Sequence, residues 1–171
     1  MKKILVALIT LGLLLAPISA VQAQTNSEVR INLNFADDVV YVNADDYIVL
    51  FHGWGACTPG LIRSYLSAVH TELYIDDVLV STADGKDQYW GPITKVQDAW
   101  FTPYCIAGNQ NTFSLIYWEY PLGTLTLGEY EVDFYYRLDH RVIDGADSDG
   151  DGRLDSWIGP FRDKIFTIIV E

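Results

Sequence analysis

The sequence is short of cations, of cysteine and of histidine. Eleven Lys and Arg face twenty-three Asp and Glu, a formal net charge of −12. Such a surface repels phosphate backbones and anionic lipid headgroups, which excludes a nucleic-acid binder and a membrane-surface binder. Cations and basic partners remain open. There are three histidines, His52, His70 and His140, and none stands at metal-ligand spacing from another. No nucleophile elbow and no Cys-x-x-Cys occurs. These absences point to a chain without enzymatic activity. The acid pairs Asp37-Asp38, Asp45-Asp46 and Asp76-Asp77 sit where turns are expected, and Asp is a turn residue in its own right.

Long apolar runs are also missing, apart from one at the N-terminus. Lys2 and Lys3 precede the run Ile4–Ala16, and Val21-Gln22-Ala23 follows with small residues where a signal peptidase reads. The run is shorter than the roughly 20 apolar residues of a spanning helix. Residues 1–23 therefore read as a signal peptide, and 24–171 as one domain. The leader carries two lysines and no acid, so the mature chain is more acidic still. The expected location is secreted, either extracellular or periplasmic, with no membrane insertion of the mature chain. Two cysteines, Cys57 and Cys105, are an even count in an exported chain. That favours one disulfide over two free thiols or a metal pair.

Half of the residues are apolar, with five Trp, eleven Tyr and seven Phe, so disorder is not expected. The period of the apolar residues is two. Val29, Ile31, Leu33 and Phe35 alternate with Arg30, Asn32 and Asn34. Tyr47–His52 forms a buried run that Gly53 and Gly55 then break. His70–Ile75 and Val78–Val80 flank Asp76-Asp77 as a hairpin. Residues 61–68 fit a helix or an extended segment equally well. Residues 83–112 are loop-rich yet carry Trp90 and Trp100, the composition of a packed excursion. Phe113–Tyr120 is a strand, and Lys164–Val170 is the last one. Between them Tyr130, Val132, Phe134, Tyr136 and Leu138 share one face, against Glu129, Glu131, Asp133 and Arg137 on the other. Seven to eight short strands without a long helix predict an all-β sandwich or barrel.

Leu127-Gly128-Glu129-Tyr130 ahead of that long strand resembles the tyrosine corner of immunoglobulin-like and fibronectin-type domains. The resemblance covers about a dozen residues. It implies an antiparallel immunoglobulin-like β-sandwich, in which the Tyr130 hydroxyl returns to the backbone. Cys105 lies well before that strand, so a Cys57–Cys105 bridge would tie loops and not the two sheets. A fold of this class names no function.

The segment Asp147-x-Asp149-x-Asp151-Gly152-x-x-Asp155 places carboxylates at alternate positions, with glycine for a sharp turn. Hard calcium ions take several such oxygens from one short loop. The pattern resembles the calcium loops of EF-hands, dockerins and thrombospondin-type repeats. By position the resemblance implies side-chain oxygens from Asp147, Asp149 and Asp151. It implies the carbonyl of Arg153, and Asp155 directly or through water. The twelfth position, a bidentate acid in those loops, is Ile158, and the flanks read as strands. Binding should then be weak, at roughly 10⁻⁴–10⁻³ M, with Asp139, Asp144 or Asp163 available to complete the shell. The cofactor expected is structural calcium.

Strand 113–120 carries apolar side chains on both faces. Either both are covered, or Trp118 and Tyr120, with Tyr135 beside them, face a ligand. The function expected is a binding, adhesion or surface-interaction module for an extracellular carbohydrate or protein. The alternative is a structural subunit or protease-inhibitor-like domain that acts through its loops.

Overall fold

The computed structural model describes residues 27–97, 102–108 and 112–171, and for 162–164 the backbone alone. The expected signal peptide and Trp100 lie outside those ranges. Within them the fold is all-β, with nine strands and one short helix: β1 Glu28–Asn32, β2 Val39–Val42, β3 Tyr47–Ala56, α1 Pro59–Leu66, β4 Val69–Ile75, β5 Val78–Asp84, β6 Thr94–Gln97, β7 Thr112–Gly123, β8 Gly128–Ile143 and β9 Ser156–Val170.

The alternating segment becomes β8, the centre of the molecule. Val132, Phe134, Tyr136 and Leu138 are buried while Glu129, Glu131 and Arg137 are exposed. Its inward side chains meet those of a second sheet across one shared core. The five-stranded sheet has the order β2-β9-β8-β4-β5, the four-stranded one β1-β3-β7-β6. His52 and Trp118, from β3 and β7, put their rings 5.3 and 5.6 Å from that of Phe134 on β8. A fully buried aromatic or branched aliphatic side chain contributes about 1.5–3 kcal/mol, so this seam carries much of the stability.

The sheets are mixed, whereas the sequence predicts purely antiparallel ones. β1 runs parallel to β3, and β2 runs parallel to β9. The cause is a crossover in the first strand region. Leu33 is buried but Phe35 is 82 % exposed, so the expected alternation fails after Leu33. Asn32 Oδ1 accepts from Asn34 N, and Asn32 O accepts from Phe35 N, which turns the chain. The N-terminal segment is thereby divided, β1 on one sheet edge and β2 on the edge of the other.

Gly53 and Gly55 do not end β3. They face outward beneath the rings of Tyr117 and Phe113 from β7. A Cβ at Gly55 would stand 2.2 Å from the Phe113 ring, and one at Gly53 would stand 2.9 Å from that of Tyr117. The rings cover bare backbone, which keeps the strand regular.

The ambiguous 61–68 region is helical. Thr58 caps α1 by accepting from Leu61 N at 3.3 Å, with Pro59 in the first turn, the usual chemistry of a helix start. Ile62 and Tyr65 are buried beneath it. The β4–β5 hairpin forms as expected. Asp76 and Asp77 have φ of 50° and 63°, the left-handed pair that a two-residue turn of this hand needs.

Candidate metal centre

The aspartate loop spans 144–155, between β8 and β9. Its base is fastened to the disulfide. Cys57 and Cys105 are bonded, with Cα atoms 5.5 Å apart. Cys57 N donates to Asp144 O at 2.7 Å, and Ile106 N and Ala107 N donate to Gly145 O at 3.1 Å. Asp147 N donates to Tyr104 O at 3.0 Å. Cys105 and Ala146 pair as an isolated bridge. The bridge thus joins the end of β3 to the 102–108 segment and, through it, to the loop.

Above this base the loop folds on its own carboxylates. Gly152 N donates to Asp147 Oδ2 at 2.9 Å, Asp151 N to Asp149 Oδ1 at 3.1 Å, and Arg153 N to Asp151 Oδ1 at 2.8 Å. Gly150 and Gly152 take φ of 76° and 83°, which side chains with a Cβ rarely adopt. As a result one carboxylate oxygen each from Asp147, Asp149 and Asp151 lies within 4.8 Å of the others. Asp147 Oδ1 is buried and has no hydrogen-bond partner. A buried carboxylate oxygen without a donor is costly, and a cation bound by the Asp147 carboxylate would relieve it. The donor set is all oxygen, and it fits a hard divalent ion.

The remaining expected ligands are placed differently. Asp155 Oδ2 accepts from Ser148 N and Ser148 Oγ, and Asp155 N donates to Ala146 O. Asp155 closes the neck of the loop and stands outside the converging group. Arg153 contributes a backbone donor to Asp151, and Ile158 is exposed. Asp144 is buried at the base, where Ala146 N donates to its Oδ1 at 2.9 Å. Burial lifts its carboxyl above the usual range, against the backbone N–H, and the charge of Asp155 adds to the rise. Asp139 pairs with His70 and Arg137, and the Asp163 side chain lies outside the described residues.

The aromatic candidates divide. Trp118 is fully buried, so it offers no ligand-facing surface. Tyr120 is half-buried, stacked 5.8 Å from Trp118 against the core, and burial raises its phenol pKa. Tyr135 meets Tyr74 edge-on at 5.9 Å on the outer face of the five-stranded sheet. The two-faced pattern of β7 has a structural cause. Ile116 and Trp118 fill buried clusters, Phe113 covers the disulfide, and Tyr117 stays exposed beside Phe51.

His52 is buried between Asn34 Oδ1 at 2.8 Å and the Tyr65 hydroxyl at 2.9 Å. His140 stands on the surface, 3.4 Å from Ser67 Oγ. Of the acid pairs, Asp46 lies inside the fold. It is buried and accepts from Ser27 Oγ, Asn43 N and Asn43 Nδ2. These bonds, the one from Ser27 foremost, hold its carboxyl below the usual range. A tight turn over Asn43–Asp46, in which Asp46 N donates to Asn43 O at 3.0 Å, is the local signal that could have marked it.

No protein-family model and no curated protein sequence matches the chain. Among solved structures, the chain is similar to a cysteine protease inhibitor, EhICP2, from Entamoeba histolytica, with 8 % identity and a TM-score of 0.30. The alignment covers 86 % of this chain and 98 % of that one. A likeness at that level carries no argument about fold family or function.

Proposed function

We propose that this chain is a secreted, calcium-stabilised β-sandwich of immunoglobulin-like build that acts as a binding or surface-interaction module without enzymatic activity. The observation that carries the reading is the convergence of the Asp147, Asp149 and Asp151 oxygens, with Asp147 Oδ1 buried and unpartnered. The role of the ion is structural. It would neutralise like charges that the loop's own backbone bonds force together, and so pin β8 to β9 above the disulfide. The immunoglobulin-like reading is supported by the Tyr130 hydroxyl, which donates to Thr126 O at 2.9 Å at the foot of β8. Secretion is supported by the disulfide, which belongs to oxidising compartments. Among the described residues no helix is long and apolar enough to cross a membrane.

The test is thermal unfolding with EDTA and with about 10 mM calcium. A site of the strength expected for extracellular loops adds roughly 1.4–2.7 kcal/mol at that concentration. The midpoint should rise with calcium, and Asp149→Ala with Asp151→Ala should abolish the response. An unchanged midpoint in the parent protein would reduce the loop to an acidic turn.

A further inference from the structure

Four Asp-Gly pairs occur in the chain: Asp84-Gly85, Asp144-Gly145, Asp149-Gly150 and Asp151-Gly152. Such a pair has a chemistry of its own. The glycine N attacks the aspartate Cγ and closes a five-membered succinimide, because no Cβ on the second residue stands in the way. The attack needs an N–H that is not engaged, a carboxyl that can move, and room for the backbone to turn. The fold decides which pair has all three.

Three of the pairs are held. Asp84 ends β5 opposite His70, and its Oδ1 accepts from Lys86 N at 2.7 Å. Gly85 is wedged against the end of α1, where an added Cβ would stand 1.8 Å from Leu66 O. Asp144 is buried, and Gly145 packs closely against Leu61, Cys57 and Ala107. Asp151 and Gly152 are exposed, but Gly152 N already donates to Asp147 Oδ2 at 2.9 Å. The nucleophile of that pair is occupied.

Asp149-Gly150 has none of these restraints. Both residues are exposed. Among the described residues Gly150 N donates to no acceptor, and no atom beyond its chain neighbours lies within 4 Å of where a Gly150 Cβ would be. Asp149 Oδ1 accepts from Asp151 N at 3.1 Å, a turn that carries the carboxyl past the Asp149–Gly150 peptide.

We propose that Asp149-Gly150 is a self-modifying site, at which the folded protein converts aspartate to isoaspartate. Gly150 N bonds to the protonated Asp149 carboxyl at Cγ. The carboxyl hydroxyl leaves with the amide proton as water. Water then opens the ring. Addition at Cγ restores aspartate. Addition at the Asp149 backbone carbonyl carbon breaks its bond to Gly150 N, and the main chain now runs through Cβ and Cγ, longer by one methylene. The free carboxylate then sits on Cα. Asp151 N loses its acceptor, and the Asp149 oxygen leaves its place beside those of Asp147 and Asp151. The site disarms the aspartate loop with time. The chemistry needs no ion, so this inference and the calcium reading stand or fall separately.

The experiment is incubation of the folded protein in EDTA, below its unfolding transition. A buffer of about pH 5 lies near enough to the ordinary carboxyl range to keep a protonated fraction. The same chain in urea is run beside it. Peptide mapping with electron-transfer fragmentation reads isoaspartate pair by pair, since the conversion leaves mass unchanged. In urea all four pairs should convert. In the folded protein Asp149-Gly150 should convert and the other three should fall silent. Asp149→Glu would need a six-membered ring and should abolish conversion at that position. Asp147→Ala frees Gly152 N and should switch on Asp151-Gly152. Unfolding midpoints confirm that both variants are folded. Absence of isoaspartate at 149 in the folded parent protein overturns the proposal. Equal conversion at all four pairs does so as well, because the fold then selects nothing. Silence at Asp151-Gly152 in the Asp147→Ala variant overturns the hydrogen-bond account of the selection.

Discussion

Asp144 and Asp46 are both buried carboxylates, yet their surroundings push them in opposite directions. Asp46 gains three donors, and its carboxyl falls below the ordinary aspartate value of 3.8. Its contribution to stability is present above that value and is lost as pH falls through the folded value. Asp144 loses hydration and faces Asp155, so its carboxyl rises above 3.8. The folded state then holds that proton more tightly than the unfolded chain does. Stability from this group falls as pH climbs from 3.8 through the folded value, and at neutral pH the full penalty is in place. In EDTA, Asp144→Asn keeps the acceptor for Ala146 N and removes the charge. It should raise the unfolding midpoint at pH 7, with the gain closing below about pH 4. A constant gain at every pH would assign the effect to packing.

The β4–β5 hairpin is the element in which local chemistry and register are most tightly joined. Both turn residues occupy the left-handed region without being glycine. Asp76 has compensation, because its Oδ1 accepts from Glu131 N at 2.8 Å and its own N–H donates to Glu131 O. Among the described residues Asp77 makes no such bond. Asp77→Gly should therefore stabilise the protein by roughly 0.5 kcal/mol. That is the left-handed strain of about 1 kcal/mol less the added freedom of glycine in the unfolded chain. Asp76→Gly gains the same relief but forfeits the Glu131 bond, and should come out neutral or worse. Urea unfolding of the two variants separates them, and equal effects would refute the distinction.

At the scale of the molecule, the disulfide and the aspartate loop are one structure. The bridge closes a separation of 48 residues, worth about 4 kcal/mol in the chain-entropy model. It also anchors the backbone that presents the three carboxylates. Cys57→Ser with Cys105→Ser should lower stability by about 2–4 kcal/mol and weaken the calcium response as well. The second effect is the informative one. A stability loss with the calcium response intact would show that the loop organises itself.

Much of this was legible in the residues. The alternation in β8, the two-aspartate hairpin turn and the Asp-x-Asp-x-Asp loop are local patterns, set by side-chain period and turn chemistry within a few positions. The sequence by itself determined the all-β class, the β4–β5 turn and the three converging carboxylates. The tertiary structure decided what depends on partners far along the chain. It split the first strand between two sheets, and it kept β3 intact past Gly53 and Gly55 because rings from β7 cover them. It set Asp155 at the neck of the loop, bonded to Ser148, and buried Trp118 against β8. It also brought Tyr74 and Tyr135 together on the outer face of the five-stranded sheet from about 60 positions apart, in a cross-strand register that no local period encodes.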